Sequence, residues 1–282
     1  MKLLNKKQRS KTRDTDSTIS IWVIFNFENI IYSKVGTGPH LCFLHGFCED
    51  STIWQSLADT LSQDYTVICI DLPGFGRSRD LSFDTLDEVA TQINELLKVE
   101  EIESCILLGH SMGGYIAAAY AALFPSELTA LALVHSTALA DSPSKKVNSQ
   151  KSIDLIAKNG SQEFFRLFIP GLVALEHRGR LRAQLTELVN QTSDRSILAG
   201  LSAMKERPSH LETIAQLDKP ILFMKGEEDT HYSADEIYTQ AAAASICQLS
   251  VLQGVGYLSM LENQEKCLVE VRNFLAFVKA IS

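Results

Sequence analysis

The chain of 282 residues, 45% apolar and 21% charged, is long enough to bury a sizeable core and too apolar to stay disordered. Its formal net charge of −8 at pH 7 argues against a nucleic-acid partner, which needs concentrated lysine and arginine. No apolar stretch approaches the roughly 20 residues that span a bilayer, so no membrane partner is expected. The six cysteines, none in a C-x-x-C pair, suit buried reduced thiols in a cytoplasmic protein better than a disulfide framework or a metal site.

Residues 1–18 carry Lys6, Lys7, Arg9 and Lys11 and read as a solvated, flexible tail. Beyond them, short apolar runs alternate with amphipathic stretches. The runs 19–27, 30–34, 41–44, 66–70, 104–108, 130–134, 221–224 and 247–252 predict eight strands. The fold class is α/β, a mostly parallel eight-stranded sheet with helices on both faces. Residues 52–62 put Ile53, Leu57 and Leu61 on one helical face, and 85–99 do the same with Leu86, Val89, Ile93 and Leu96. The stretch 114–124 is small and apolar all round, which predicts a buried helix, and Pro125 ends it. From 138 to 217 the strand signal stops, and helical stretches at 153–158, 162–168, 180–189 and 197–205 follow one another. This predicts a helical cap, 138–217, inserted into a core of 19–137 and 218–282 that closes with a helix at 262–280.

Three segments carry chemistry. His45-Gly46-Phe47 follows the third strand: Gly46 lets the backbone bend, the Phe47 N–H can donate to a developing oxyanion, and His45 is expected to support the loop. Asp71-Leu72-Pro73-Gly74-Phe75-Gly76-Arg77-Ser78 is dense in turn formers, with Asp71 as its brace, and lacks the G-x-G-x-x-G spacing of a nucleotide site. Gly109-His110-Ser111-Met112-Gly113-Gly114 fits G-x-S-x-G between a predicted strand and a predicted helix. Such a turn holds Ser111 in strained backbone geometry and aims the positive end of the helix, with the Met112 N–H, at the reaction centre. The His110 ring is expected to point away into supporting structure.

Together these segments resemble the capped α/β-hydrolases, which include many esterases and carbon–carbon bond hydrolases, and the resemblance runs from about residue 29 onward. It implies a serine hydrolase without cofactor or metal: Ser111 as nucleophile, the Phe47 and Met112 amides as oxyanion hole, and Asp229 as acid, with Glu227 and Glu228 as alternatives in the same turn. It also implies a histidine in the turn after the last strand. That turn reads Gly254-Val255-Gly256-Tyr257-Leu258-Ser259-Met260-Leu261-Glu262, so Tyr257 stands where the base should be. A phenol, with a pKa near ~10, is a poor base at neutral pH, whereas an imidazole near ~6.5 is a good one.

Two histidines remain as surrogate bases. His135, in Val134-His135-Ser136-Thr137, is expected at the C-terminal edge of the sheet, where open α/β sheets bind ligands, and His231 lies two residues beyond Asp229. Phe164, Phe165, Leu167 and Phe168 are expected to roof a mostly apolar pocket for a small-molecule ester with a small or medium acyl group. Two readings of function follow: an ester hydrolase of low or atypical activity, or a ligand-binding protein of the same fold that has lost turnover. Lyase or acyl-transfer chemistry on the same fold is a third.

Overall fold

The computed structural model describes residues 8–9 and 22–281. Of the predicted tail, only Gln8–Arg9 (β1) is described, paired antiparallel with Ile24 and Val23; the rest lies outside the described residues, as do residues 19–21 of the first predicted strand. The eight longer strands follow as Val23–Phe27 (β2), Ile30–Val35 (β3), His40–Leu44 (β4), Thr66–Ile70 (β5), Cys105–His110 (β6), Leu128–Val134 (β7), Ile221–Gly226 (β8) and Cys247–Leu252 (β9). The sheet order is β1-β2-β3-β5-β4-β6-β7-β8-β9. Pairings from β1 to the β3–β5 contact are antiparallel, and those from β5–β4 to β8–β9 are parallel.

Every residue of β5, β6 and β8 is buried, because helices cover both faces of a parallel sheet and leave no side to water. The edge strand β9 instead alternates, burying Ser250 and Leu252 and exposing Leu249 and Val251. The covering helices are Gln55–Leu61 (α1), Leu86–Val99 (α2), Met112–Leu123 (α3), Ala234–Ala243 (α9) and Gln264–Ile281 (α11), with the short Ser259–Glu262 (α10) before the last. In α2, Leu86, Val89, Ala90, Ile93, Leu96 and Leu97 recur at helical spacing and are buried, and the Thr85 hydroxyl caps its N-terminus by accepting from the Glu88 N–H at 3.1 Å. Between β7 and β8 the chain is helical throughout its regular structure: Pro143–Asn159 (α4), Gln162–Phe168 (α5), Arg178–Asn190 (α6), Asp194–Glu206 (α7) and Leu211–Gln216 (α8). No helix among the described residues is long and apolar enough to cross a membrane.

The register aligns the strand ends. Leu44 lies opposite Gly109, His110 opposite Val134, and Val134 opposite Met224. The turns that leave β4, β6, β7 and β8 therefore emerge side by side at one edge of the sheet. They carry His45, Ser111, His135 and Asp229, residues far apart in the chain.

Candidate active site

Ser111 joins β6 to α3 at φ 49° and ψ −117°, a conformation that costs a residue with a Cβ on the order of 1–3 kcal/mol. The surrounding structure holds it there. Its N–H donates to the Val134 carbonyl at 3.1 Å, and its own carbonyl accepts from the Ser136 hydroxyl at 2.7 Å and the Gly114 N–H at 2.9 Å. Such a turn fits only where α3 approaches the sheet closely, and that explains Gly113: a Cβ there would sit 2.5 Å from the Leu44 carbonyl oxygen and 2.6 Å from that of His45.

Met112 follows Ser111 in the chain, Phe47 lines the same cavity as Ser111, and both residues are buried. Among the described residues neither of their backbone N–H groups has a hydrogen-bond acceptor. Amides of buried residues are rarely left unpaired, so these two donors are open to an acceptor that the protein does not supply. The supporting loop is tightly bonded. His45 Nδ1 meets the Gly46 carbonyl at 2.8 Å and its Nε2 accepts from the Leu72 N–H at 2.9 Å, while the Glu49 carboxylate accepts from the Gly46 N–H at 2.6 Å. Asp71 accepts from the Ser51 and Arg77 N–H groups, at 2.9 and 3.0 Å, and from Arg77 Nε at 2.5 Å. Burial alone would raise the Asp71 pKa, but the Arg77 guanidinium, His45 and the hydrogen bonds from Ser51 and Arg77 together outweigh it and hold the carboxyl below the usual range.

The Tyr257 hydroxyl donates to the Ser111 Oγ. Burial pushes the phenol well above its ordinary value, with Tyr115 and Asp229 adding to the rise against the hydrogen bonds of Ser111 and Tyr232. Tyr257 is therefore a neutral donor at physiological pH. Its backbone carbonyl is held by His110 Nε2 at 3.0 Å, and His110 Nδ1 meets Glu49 Oε2 at 2.9 Å, so the His110 ring does turn away from the serine and braces the tyrosine turn instead.

Asp229 lies behind Tyr257 with a fully buried side chain, flanked by two histidines: His135 Nδ1 is 3.6 Å from its Oδ2, and His231 Nδ1 is 3.6 Å from its Oδ1. Burial opposes ionisation, but the two histidines and the His231 N–H, 2.8 Å from Oδ1, bring its pKa below the ordinary carboxylate range. Neither Glu227 nor Glu228 takes that place. Glu227 accepts from the Gly254 N–H at 3.2 Å, and both glutamates are exposed.

His135 occupies a positive φ of 44° at the end of β7 and is fully buried. Its Nε2 lies 2.8 Å from the Ser259 Oγ, and its Nδ1 faces the Gly226 N–H at 3.2 Å. Burial lowers its pKa and keeps the ring neutral. The sheet edge brings His135 to Asp229, and its nitrogens meet Ser259, the Gly226 N–H and Asp229 rather than Ser111, the serine it is expected from the sequence to serve as a surrogate base.

Ser111 opens into a cavity of about 280 Å³ whose walls include Phe47, Phe164, Phe168, Leu201, Tyr257 and His231. Helical geometry selects which of the predicted roof residues take part. Phe164 and Phe168, one turn apart on α5, face the cavity and stack with ring centroids 5.1 Å apart. Phe165 lines a separate surface groove, and Leu167 is 65% exposed, so neither belongs to the roof. The far wall is more polar than the apolar roof implied. Arg207 pairs with Asp141 at 2.8 Å over the Tyr115 ring, Lys145 pairs with Glu236 at 2.9 Å over the Tyr232 ring, and the Tyr115 and Tyr232 hydroxyls meet at 2.5 Å.

These residues carry no local motif and were not singled out from the sequence. Nor was Glu262, whose buried carboxylate accepts from the Ala174, Gly256 and Leu258 N–H groups at 2.8, 3.0 and 2.9 Å. Its only sequence signal is an acid five residues after Tyr257, where the mostly apolar stretch 257–261 ends.

The model of the alpha/beta hydrolase fold family matches residues 39–238. A pimeloyl-[acyl-carrier protein] methyl ester esterase of Nitrosomonas europaea is 28% identical over 229 residues, covering 78% of this chain and 86% of that protein. The monoacylglycerol lipase ABHD6 of Mus musculus is 25% identical over 278 residues, covering 87% and 78%. Among solved structures, a thermophilic esterase from Thermogutta terrifontis superposes with a TM-score of 0.82 at 25% identity, covering 96% of this chain and 99% of that one.

Proposed function

Because the chain belongs to the alpha/beta hydrolase fold family, we propose that it is a serine hydrolase that cleaves carboxylic esters of small or medium apolar acyl groups through Ser111, with slow or atypical turnover. One observation carries the reading: the Ser111 hydroxyl stands at a strained turn on a ligand-sized cavity, beside two buried backbone N–H groups that have no protein acceptor. In this mechanism Oγ attacks the ester carbonyl, the Phe47 and Met112 amides hold the oxyanion, and Asp229 provides the negative charge that orients and stabilises a protonated base. Phe47, Phe164 and Phe168 receive the acyl group under the helical segment, which acts as a cap. That the named relatives include esterases and a lipase supports an ester substrate.

A ligand-binding protein without turnover is the second reading, and the Tyr257–Ser111 hydrogen bond favours it, since a donated proton on Oγ lowers its nucleophilicity. Hydrolysis of short-chain nitrophenyl esters separates the two. Wild type is expected to show a slow rate that Ser111→Ala abolishes, and Tyr257→His is expected to raise it at pH 7 by about 10²-fold or more. A wild-type rate that survives in Ser111→Ala overturns the hydrolase reading, and a Tyr257→His protein no faster than wild type removes 257 as the vacated base position.

A further inference from the structure

The acid of this site has one histidine too many and the serine has none. Asp229 Oδ2 and His231 Nδ1 are both buried without a hydrogen-bond partner. His135 is already engaged: the Gly226 N–H donates toward its Nδ1 at 3.2 Å, its Nε2 lies 2.8 Å from Ser259 Oγ, and its Nδ1 is 3.6 Å from Asp229 Oδ2. The Ser259 N–H, 3.4 Å from Nε2, is the looser contact. His231 turns a second imidazole toward the same carboxylate. Its backbone already donates to Oδ1 at 2.8 Å, and its Nδ1 lies 3.6 Å from the same oxygen.

A histidine whose Nδ1–H faces a carboxylate carries its basic lone pair on Nε2. Among the described residues the His231 Nε2 makes no hydrogen bond. The ring lines the same cavity as Ser111 and stacks face to face on Tyr257, centroids 4.0 Å apart and planes 23° apart. It therefore lies one ring thickness from the phenol whose hydroxyl touches Oγ.

Building on the hydrolase reading above, we infer that His231, paired with Asp229, is the base of this enzyme. Tyr257 fills the space of the usual imidazole and holds the serine hydroxyl in place. As Oγ bonds to the ester carbonyl carbon and the carbonyl electron pair moves onto oxygen, the Ser111 proton passes to a solvent water in the cavity, and that water passes a proton to His231 Nε2. Collapse of the adduct breaks the bond to the leaving oxygen, which recovers the proton from His231 by the same route. A second water then attacks the acyl carbon, gives its proton to His231, and Ser111 leaves with it. One bridging water is an accepted span for a general base, and the longer path accounts for slow turnover.

The test reads both pH dependence and Ser111 reactivity. The other ionisable groups on this cavity are Asp141, Lys145, Arg207 and the phenols of Tyr115, Tyr232 and Tyr257, classes that ordinarily titrate outside about pH 5–8. A rate that falls on acidification within that window is expected to come from the imidazole. Wild type, His231→Gln and Tyr257→Phe are compared for ester hydrolysis and for labelling by a fluorophosphonate between about pH 5 and 10. His231→Gln is expected to lose about 10²-fold in both and to lose the acid limb, while Tyr257→Phe keeps that limb; added imidazole is expected to restore part of the rate to His231→Ala.

Equal labelling rates in wild type and His231→Gln overturn the assignment of the base but leave Ser111 a nucleophile. A rate that climbs tenfold per pH unit toward pH 10 and vanishes in Tyr257→Phe overturns it in favour of a tyrosinate. No labelling at any pH overturns the hydrolase reading and the base together.

Discussion

Replacing Glu262 by alanine tests how the Tyr257 turn is held. Glu262 is 6% exposed and its carboxylate accepts three backbone N–H groups, two from the turn itself (Gly256 and Leu258) and one (Ala174) from the connection between α5 and α6. Alanine strands all three donors. A buried donor that loses its acceptor costs about 1–3 kcal/mol, more when the acceptor was charged, and water entering the vacated space recovers part of that. The net expectation is about 3–5 kcal/mol, a large share of a total stability that for a single domain is typically about 5–15 kcal/mol. Urea unfolding followed by tyrosine and tryptophan fluorescence is expected to show a lower midpoint with an unchanged m-value, and Glu262→Gln, which keeps one acceptor oxygen, is expected to fall between. An alanine variant within about 1 kcal/mol of wild type would refute the argument, since it would mean that the three amides find other acceptors at no cost.

Two further perturbations follow from particular contacts. Gly113→Ala drives a Cβ to 2.5 Å from the Leu44 carbonyl oxygen, a backbone atom that cannot step aside, so a loss of about 3 kcal/mol or more is expected in thermal melts. Gly179→Ala on α6 meets nothing within 4 Å and is expected to stabilise by up to about 1 kcal/mol through helix propensity; a Gly113→Ala protein as stable as wild type contradicts the close approach of α3. For pH, Asp71 and Asp229 both have folded pKa values below those of the unfolded chain, so the unfolded state binds more protons on acidification. The stability they contribute is complete above the ordinary carboxylate value of about 3.9 and is lost as pH falls through and below it. Urea midpoints are expected to slip between about pH 7 and 5, where the unfolded chain protonates the histidine that burial keeps neutral (His135), and to drop further toward pH 3, this lower drop being less steep in Asp71→Asn; a midpoint that does not move between about pH 5 and 3 contradicts both carboxylate assignments.

Much of the architecture is legible without coordinates, because the forces that set it are local. The burial of β5, β6 and β8 writes itself as four-residue apolar runs at 67–70, 105–108 and 221–224, and the amphipathic period of α2 names its own core face. The Ser111 turn is readable for the same reason: a residue at φ 49° between a strand and a helix demands glycines at fixed offsets, and Gly109 and Gly113 stand there. Even the anomaly at 257 is a fact of the chain alone, since the turn after the last strand has a fixed place in the order of elements.

What the side chains do with that anomaly was decided in three dimensions. Tyr257 and Ser111 are 146 positions apart, and His135 and Ser259 are 124, so no periodicity couples them; only the alignment of strand ends at one sheet edge does. His135 and His231 are both neighbours of Asp229, but the backbone N–H groups of Gly226 and Ser259, invisible in the residue types, engage the ring of the first, whereas the second lines the cavity that holds Ser111. In the same way the rotation of α5, set by its packing, chose Phe164 and Phe168 over Phe165 and Leu167 for the cavity. Local conformational preference is carried by each residue and its near neighbours, whereas the direction of a hydrogen bond depends on which groups the closed fold brings opposite one another.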